Sequence, residues 1–292
     1  MERRGVNPDL FCYRSCMVAC GISGDVARAL ALLERAEERF PKMDIASREA
    51  MYSSVASAFA RSKDAAGADR WLASRGHVPH TAALHTALIR ASGRVGDARR
   101  AEYWFDQMLE ARVEPSAVQA GSLIKSAGAR KGGLRKAEDC FRRLQGMGLH
   151  RHSEVFTAMI RAVGRSGDWR GAVEWLRMMQ SEGLEVGPLP HGAVIDACGR
   201  AGQVEEMLKR LEEMSKAGLP FDVVLLSSCI QAAAAARAPD VARRIFEVVL
   251  VVGMAPDRRM LSALRSALGV QGARQLCKDK GVDWSMVGFG AP

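Results

Sequence analysis

The sequence predicts an all-α fold, a solenoid of helix-turn-helix repeats of about 35 residues. Three observations carry this expectation. Gly148, Gly183, Gly218 and Gly253 stand 35 residues apart (183−148, 218−183, 253−218). Phe141, Leu176, Leu211 and Phe246 keep the same interval, as do Ala137, Ala172, Met207 and Ala242. Ile160, Ile195 and Ile230 hold it on another segment. Self-similarity at one such period marks a stack in which each unit buries its apolar face only against its neighbours. Function is therefore expected on a repeated surface rather than in one pocket.

Composition narrows the class. At 292 residues with 48% apolar side chains, the chain has ample material for a packed core. No apolar run approaches the roughly 18–20 residues a bilayer span needs, so membrane insertion is not expected. The net charge of +9 points toward a polyanionic partner, of which nucleic acid is the usual one. Seven cysteines lack any C-x-x-C spacing, so no zinc site is expected. Cys12, Cys16 and Cys20 recur every four residues, as on one buried helix face. Cys229 shares the repeat position of Cys16, and Cys198 that of Cys20. They read as small reduced fillers between helices.

The elements follow in order. Arg3-Arg4-Gly5-Val6-Asn7-Pro8-Asp9 reads as the close of a repeat, so residues 1–9 are expected to end a truncated unit. No apolar signal segment or long transit peptide precedes it, which fits a chain that has lost a leader and upstream repeats, or a fragment. The array runs from 10 to 281 in about eight units: 10–44, 49–80, 82–116, 117–152, 153–187, 188–222, 223–257 and a truncated 258–281. In the fifth, Val155, Met159, Ala162 and Val163 mark one face of a first helix. Gly164-Arg165-Ser166-Gly167 reads as a turn, and Ala172, Trp175, Leu176 and Met179 mark the second helix. The same G-R-x-G recurs at 93–96 and 199–202. The second unit lacks about one turn of its second helix, residues 45–48 look inserted, and the fourth unit carries one extra residue near Arg130-Lys131. Trp71, Trp104 and Trp175 share one second-helix position and read as inter-repeat core. Residues 282–292 form a tail whose Trp284 and Met286 are suited to capping the last exposed face.

These residues resemble the pentatricopeptide repeat family. The 35-residue unit and the second-helix alanines Ala101, Ala137 and Ala172 fit it. So do the bulky Phe105, Phe141 and Leu176 four places later, and closures such as Val113-Glu114-Pro115-Ser116 and Met254-Ala255-Pro256-Asp257. Tetratricopeptide repeats carry a small residue where this chain has Ile89, Ile124, Ile160, Ile195 and Ile230. The resemblance implies a right-handed superhelix of P-type repeats without a catalytic extension. It also implies single-stranded RNA on the concave face, one base per repeat, and a mitochondrial or chloroplast location.

The resemblance further implies which residues touch RNA. The base is read by the fifth and last residues of a repeat, with a small apolar side chain at the second position sandwiching it. The base-contact candidates are Ser53, Thr86, Thr157, Ser227 and Ser262 at fifth positions, with Ser116 and Asp257 at last positions. Ser227 with Asp257 fits the family's readers and leans toward guanine, and Thr86 with Ser116 fits loosely. Gly121 and Gly192 have no side chain to read with. At the second position Phe11, Val118, Leu189 and Val224 suit sandwiching, whereas Glu154 would repel phosphate and Arg259 is not apolar. Phosphate-contact candidates are Arg61, Arg94, Arg165 and Arg200 at one repeat position, with Arg90, Lys125 and Arg161 one turn earlier. The alternative is a scaffold subunit that docks proteins or ribosomal RNA in a large organellar assembly, through second-helix pairs such as Arg142-Arg143 and Arg243-Arg244.

Enzyme chemistry has little footing. His152-Ser153-Glu154 matches the H-x-E half of a zinc deaminase with no P-C-x-x-C after it. No G-x-x-x-x-G-K-[ST] loop, cofactor-binding motif or carboxylate cluster for a two-metal nuclease occurs.

Overall fold

The computed structural model describes residues 7–75, 81–130 and 132–284. Among them are fifteen α-helices and no strand. They run as pairs: α1 (Leu10–Ser23) with α2 (Val26–Arg39), α3 (Ile45–Ser62) with α4 (Ala65–Ala73), and α5 (Ala82–Val95) with α6 (Ala98–Glu110). Then come α7 (Ala117–Ala127) with α8 (Leu134–Gly146), α9 (Ser153–Ser166) with α10 (Trp169–Ser181), and α11 (Pro188–Arg200) with α12 (Val204–Lys216). The series closes with α13 (Val223–Ala235), α14 (Pro239–Val251) and α15 (Arg258–Asp279), the last broken at Gly269 by a φ of 75°. No helix of the described residues is long and apolar enough to cross a membrane.

The chain divides into two compact units, residues 1–162 and 163–292. In the first, α1 packs on α3, α3 on α5 and α5 on α7. In the second, α11 packs on α13 and α13 on α15. Within each unit these first helices are in direct contact. The second helices α2, α4, α6, α12 and α14 each pack on their own first helix and on the next one.

The glycine period has a backbone cause. Gly148, Gly183, Gly218 and Gly253 take φ of 73°, 71°, 67° and 75°, the left-handed step that ends a helix. Several turns within a pair, such as those at Gly96-Asp97 and Gly167-Asp168, use the same step and then an aspartate cap. Asp97 Oδ1 accepts from Arg100 N–H at 3.1 Å, and Asp168 Oδ1 from Gly171 N–H at 2.8 Å. Such a cap contributes about 1 kcal/mol.

The G-R-x-G turns need correction. Gly93, Gly164 and Gly199 lie inside helices, and only Gly96, Gly167 and Gly202 turn the chain. The helical glycines allow close approach of successive first helices. A Cβ on Gly164 would lie 2.6 Å from Ala197 Cβ, and one on Gly199 would lie 2.9 Å from Ala232 Cβ.

Other expectations are met or corrected by packing. α4 has 9 residues against 13 in α6, which is the missing turn. Residues 45–48 form an extra first turn of α3, which has 18 residues against 14 in α1 and α5, and Asp44 caps it. Cys16 is exposed rather than buried, because among the described residues no first helix packs before α1, whereas its repeat equivalent Cys229 is buried. Trp71 and Trp104 are buried, Trp175 only partly. Trp104 Nε1–H donates at 3.0 Å to Asp69 Oδ1, a residue 35 positions earlier that also pairs with Arg100 at 2.6 Å. Val282 and Trp284 line a groove with Arg274, Gln275 and Lys278. Met286 lies outside the described residues.

Candidate nucleic-acid interface

A helix repeats every 3.6 residues, so positions 2, 5, 9 and 13 of a first helix form one stripe. The sequence candidates fall on this stripe repeat after repeat. At position 2, Phe11 is 72% exposed, Val118 49%, Leu189 65% and Val224 71%. Four of the eight position-2 residues thus present a large apolar side chain to solvent. Glu154 and Arg259 are exposed at that position too.

At position 5 the residues sink toward the layer. Ser53, Thr86 and Ser262 are half-buried, and Thr157 and Ser227 are buried. Thr86 Oγ1–H donates to Ala82 O at 2.6 Å and Thr157 Oγ1–H to Ser153 O at 2.7 Å, so each hydroxyl has spent its hydrogen on the preceding turn. Ser53 Oγ and Ser227 Oγ are buried without a hydrogen-bond partner. A buried hydroxyl left unpaired is unusual, and here it recurs at the same repeat position.

At positions 9 and 13 the cations reach solvent. Arg61, Arg90, Lys125, Arg161, Arg165 and Arg200 are all exposed. Arg61, Arg90 and Arg161 have no acidic partner among the described residues. Arg200 differs: its Nη2 pairs with Asp196 Oδ2 at 2.8 Å, one turn earlier on α11. The side chain of Arg94 lies outside what the structure describes. A groove of about 380 Å³ between α1, α3 and α5 brings Ser53, Arg61 and Arg90 together, floored by small residues such as Ala60 and Ala87 and edged by Val18 and Ile22. In the second unit a groove of about 440 Å³ between α11 and α13 gathers Asp196, Arg200, Ser228 and Gln231.

The last residues of repeats have a structural role that the sequence candidates left out. Asp44, Ser116, Asp222 and Asp257 are the N-caps of the following first helices. Asp44 Oδ1 accepts from Ser47 N–H at 2.8 Å, Asp222 Oδ1 from Leu225 N–H at 2.6 Å and Asp257 Oδ1 from Met260 N–H at 2.8 Å. The Ser47 hydroxyl and backbone N–H hold the Asp44 carboxyl below the usual carboxylate range. Before α5 the cap is Thr81. Ser116 caps α7 in a box with Gln119, a residue not singled out in the sequence. Asp257 and Ser116 therefore reach a ligand only with the lone pairs that capping leaves over.

Some second-helix arginines are held by acids. Arg142 pairs with Asp139, Arg143 with Asp106 and Arg244 with Glu212 at 3.5 Å. Arg210, mostly buried, bridges Glu206 and Glu213. His150 and His152 stand at a repeat junction, and among the described residues no group of three or more potential ligands is placed to hold a metal ion.

Known proteins place this geometry in context. The family described as pentatricopeptide repeat-containing protein matches residues 122–249, and the pentatricopeptide repeat domain matches residues 83–130. Together they span 83–249, or 167 of 292 residues (249−83+1). The fold is similar to that of the pentatricopeptide repeat protein PPR10 in complex with an 18-nt psaJ RNA element. There the TM-score is 0.73 at 18% identity, over 96% of this chain and 41% of that one. It is also similar to PPR10 from maize, with a TM-score of 0.64 at 19% identity over 96% and 46%. This chain thus spans less than half the length of those structures, and at such identity the likeness is one of fold. No curated protein matches in sequence.

Proposed function

The chain belongs to the pentatricopeptide repeat family, and we propose on that basis that it binds single-stranded RNA along the stripe formed by its first helices. One observation carries the reading. Position 2 presents an exposed apolar side chain on α1, α7, α11 and α13, and positions 9 and 13 present cations on α3, α5, α7, α9 and α11. Of these, Arg61, Arg90 and Arg161 are not tied to acids among the described residues. Stacking on exposed apolar or aromatic side chains and charge tracking of the backbone are the two terms that hold single strands.

The work divides along the stripe. Phe11, Val118, Leu189 and Val224 stack on bases. Ser227 with Asp257 and Thr86 with Ser116 read base edges, with Ser53, Thr157 and Ser262 as further contacts. Arg61, Arg90 and Arg161 meet phosphate, joined by Lys125, Arg165 and Arg94. Arg200 contributes less, because Asp196 already holds it. Binding is passive: an extended RNA is shielded from nucleases and competing structure, in the service of processing, stabilisation or translation in a mitochondrion or chloroplast.

The test is selection of the purified chain against a randomised single-stranded RNA pool. Enrichment of a short motif supports a sequence reader, and salt-sensitive retention without a motif supports backbone contact alone. Failure to retain any RNA refutes the proposal. A second reading, a scaffold subunit of a larger assembly, draws on Val248, Val251 and Val252, which leave an apolar patch exposed at the end of α14. That reading predicts no RNA retention and inner positions that tolerate change.

A further inference from the structure

One repeat position changes sign along the chain. In the first unit, position 9 holds Arg90 on α5, Lys125 on α7 and Arg161 on α9, with Arg61 at position 13 of α3. In the second unit, position 9 holds Asp196 on α11, Gln231 on α13 and Ser266 on α15. Asp196 does more than stand where a cation stands elsewhere. It pairs through Oδ2 with Arg200 Nη2 at 2.8 Å, so the cation that α11 carries at position 13 is held by the acid one turn earlier. Both side chains are about half exposed, on the face a strand would cross. After α11, α13 has no charged residue anywhere along it, and α15 breaks at Gly269, before position 13.

Two grooves of similar size carry the same contrast. The groove of about 380 Å³ between α1, α3 and α5 is lined by two cations, Arg61 and Arg90, and among the described residues by no acid. The groove of about 440 Å³ between α11 and α13 is lined by one cation and one acid, Arg200 and Asp196. A phosphate entering the first meets two positive charges. One entering the second meets a guanidinium already paired, beside a charge of its own sign.

We infer that Asp196 ends the phosphate track: the first unit grips the RNA backbone through Arg61, Arg90, Lys125 and Arg161, and the second unit, from α11 onward, does not. This rests on the RNA-binding reading above. Four first helices, at one nucleotide per repeat, grip about four nucleotides. Beyond them Leu189, Val224 and the Ser227–Asp257 pair meet bases with no unpaired cation at positions 9 and 13 of α11 and α13. The strand is anchored on one part of the array and exchanges readily on the other.

The experiment measures, by fluorescence anisotropy across a salt series, the affinity of the full chain for a mixed-sequence single-stranded RNA long enough to cover every repeat. Asp196→Asn keeps the side chain's shape, removes its charge and frees Arg200. Each phosphate contact to a single strand adds about 0.7 to the slope of log K against log salt, so Asp196→Asn is expected to steepen the slope by about 0.7 and to bind about fivefold tighter at about 0.1 M salt. Asp196→Arg supplies a second contact and is expected to steepen the slope by about 1.4. Glu212→Gln makes the same change of net charge and likewise frees an arginine, Arg244, but on second helices, and is expected to leave the slope unchanged. Arg200→Gln in the wild-type background is also expected to leave it unchanged. Circular dichroism melts run alongside. A pair that serves only to stabilise α11 would lower the melting temperature of Asp196→Asn without moving the slope, which overturns the inference. Equal steepening in Glu212→Gln also overturns it, because net charge alone would then be at work. So does a slope lost in Arg200→Gln, an outcome readable even where the Asp196 variants do not fold. If the wild type binds no RNA at any salt, the RNA-binding reading falls and takes this inference with it, whereas RNA binding whose slope ignores Asp196 sinks the inference alone.

Discussion

Two Gly→Ala substitutions inside helices are expected to act with opposite sign, and the pair isolates the close approach of first helices. Gly164 is buried in α9, and a Cβ there would sit 2.6 Å from Ala197 Cβ and 3.4 Å from Ala197 Cα. Carbon atoms rest at about 3.5–4.0 Å, so the helices would have to part by about 1 Å. Overpacking of this kind costs about 1–3 kcal/mol, offset by the 0.5–1 kcal/mol or so that alanine gains over glycine in a helix. The net expectation for Gly164→Ala is a loss of about 1–2 kcal/mol. Gly146 ends α8 exposed, with nothing within 4 Å of an added Cβ. There only the helix term operates, so Gly146→Ala should gain a few tenths to about 1 kcal/mol. Urea titrations followed by circular dichroism read both as shifts of the midpoint at unchanged slope. Shifts of the same sign in both variants would refute the argument that Gly164 is there for helix approach.

Asp69→Ala removes the acceptor of Trp104 Nε1–H and the partner of Arg100 together, and should cost about 1–2 kcal/mol in the same titration. Thiol labelling should separate the cysteines: Cys16, exposed, reacts first. Cys140 and Cys198, whose thiols burial pushes up to about 12 and about 11, stay protected until the chain unfolds. Burial also pulls the His191 imidazole below its ordinary value. The native state then resists a proton that the unfolded chain accepts, so this contribution is complete above pH about 6.5 and is lost as pH falls below it. Melts of His191→Phe from pH 7.5 to 5 should show a shallower fall in stability than the wild type.

Much of this was legible because a solenoid writes its contacts as a period. The glycine ladder from Gly148 to Gly253 announced helix ends, since a left-handed residue is needed at each and glycine adopts it without strain. The same residue type misled in G-R-x-G, where Gly164 is present for lack of a Cβ rather than for its turn. Both demands select glycine, and only the neighbouring helix distinguishes them. The loss of Arg200 to Asp196 was visible in principle, because a four-residue spacing on one helix face is an ion-pair spacing. Capping by Asp257 and Ser116 was likewise implicit in aspartate and serine preceding helical runs. Gln119 was not legible. Its importance comes from contacts 33 and 37 positions back, on a helix that only folding brings beside it.

The most direct measurement is the salt dependence of RNA affinity for the wild type and for Arg61→Ala/Arg90→Ala/Arg161→Ala, with Arg142→Ala/Arg244→Ala as the second-helix control. Each phosphate contact to a single strand contributes about 0.7 to the slope of log K against log salt. The first-helix variant should therefore lose about 2 from the slope, with the control unchanged. An unchanged slope in the first-helix variant, or a loss confined to the control, would contradict an RNA track along the first helices.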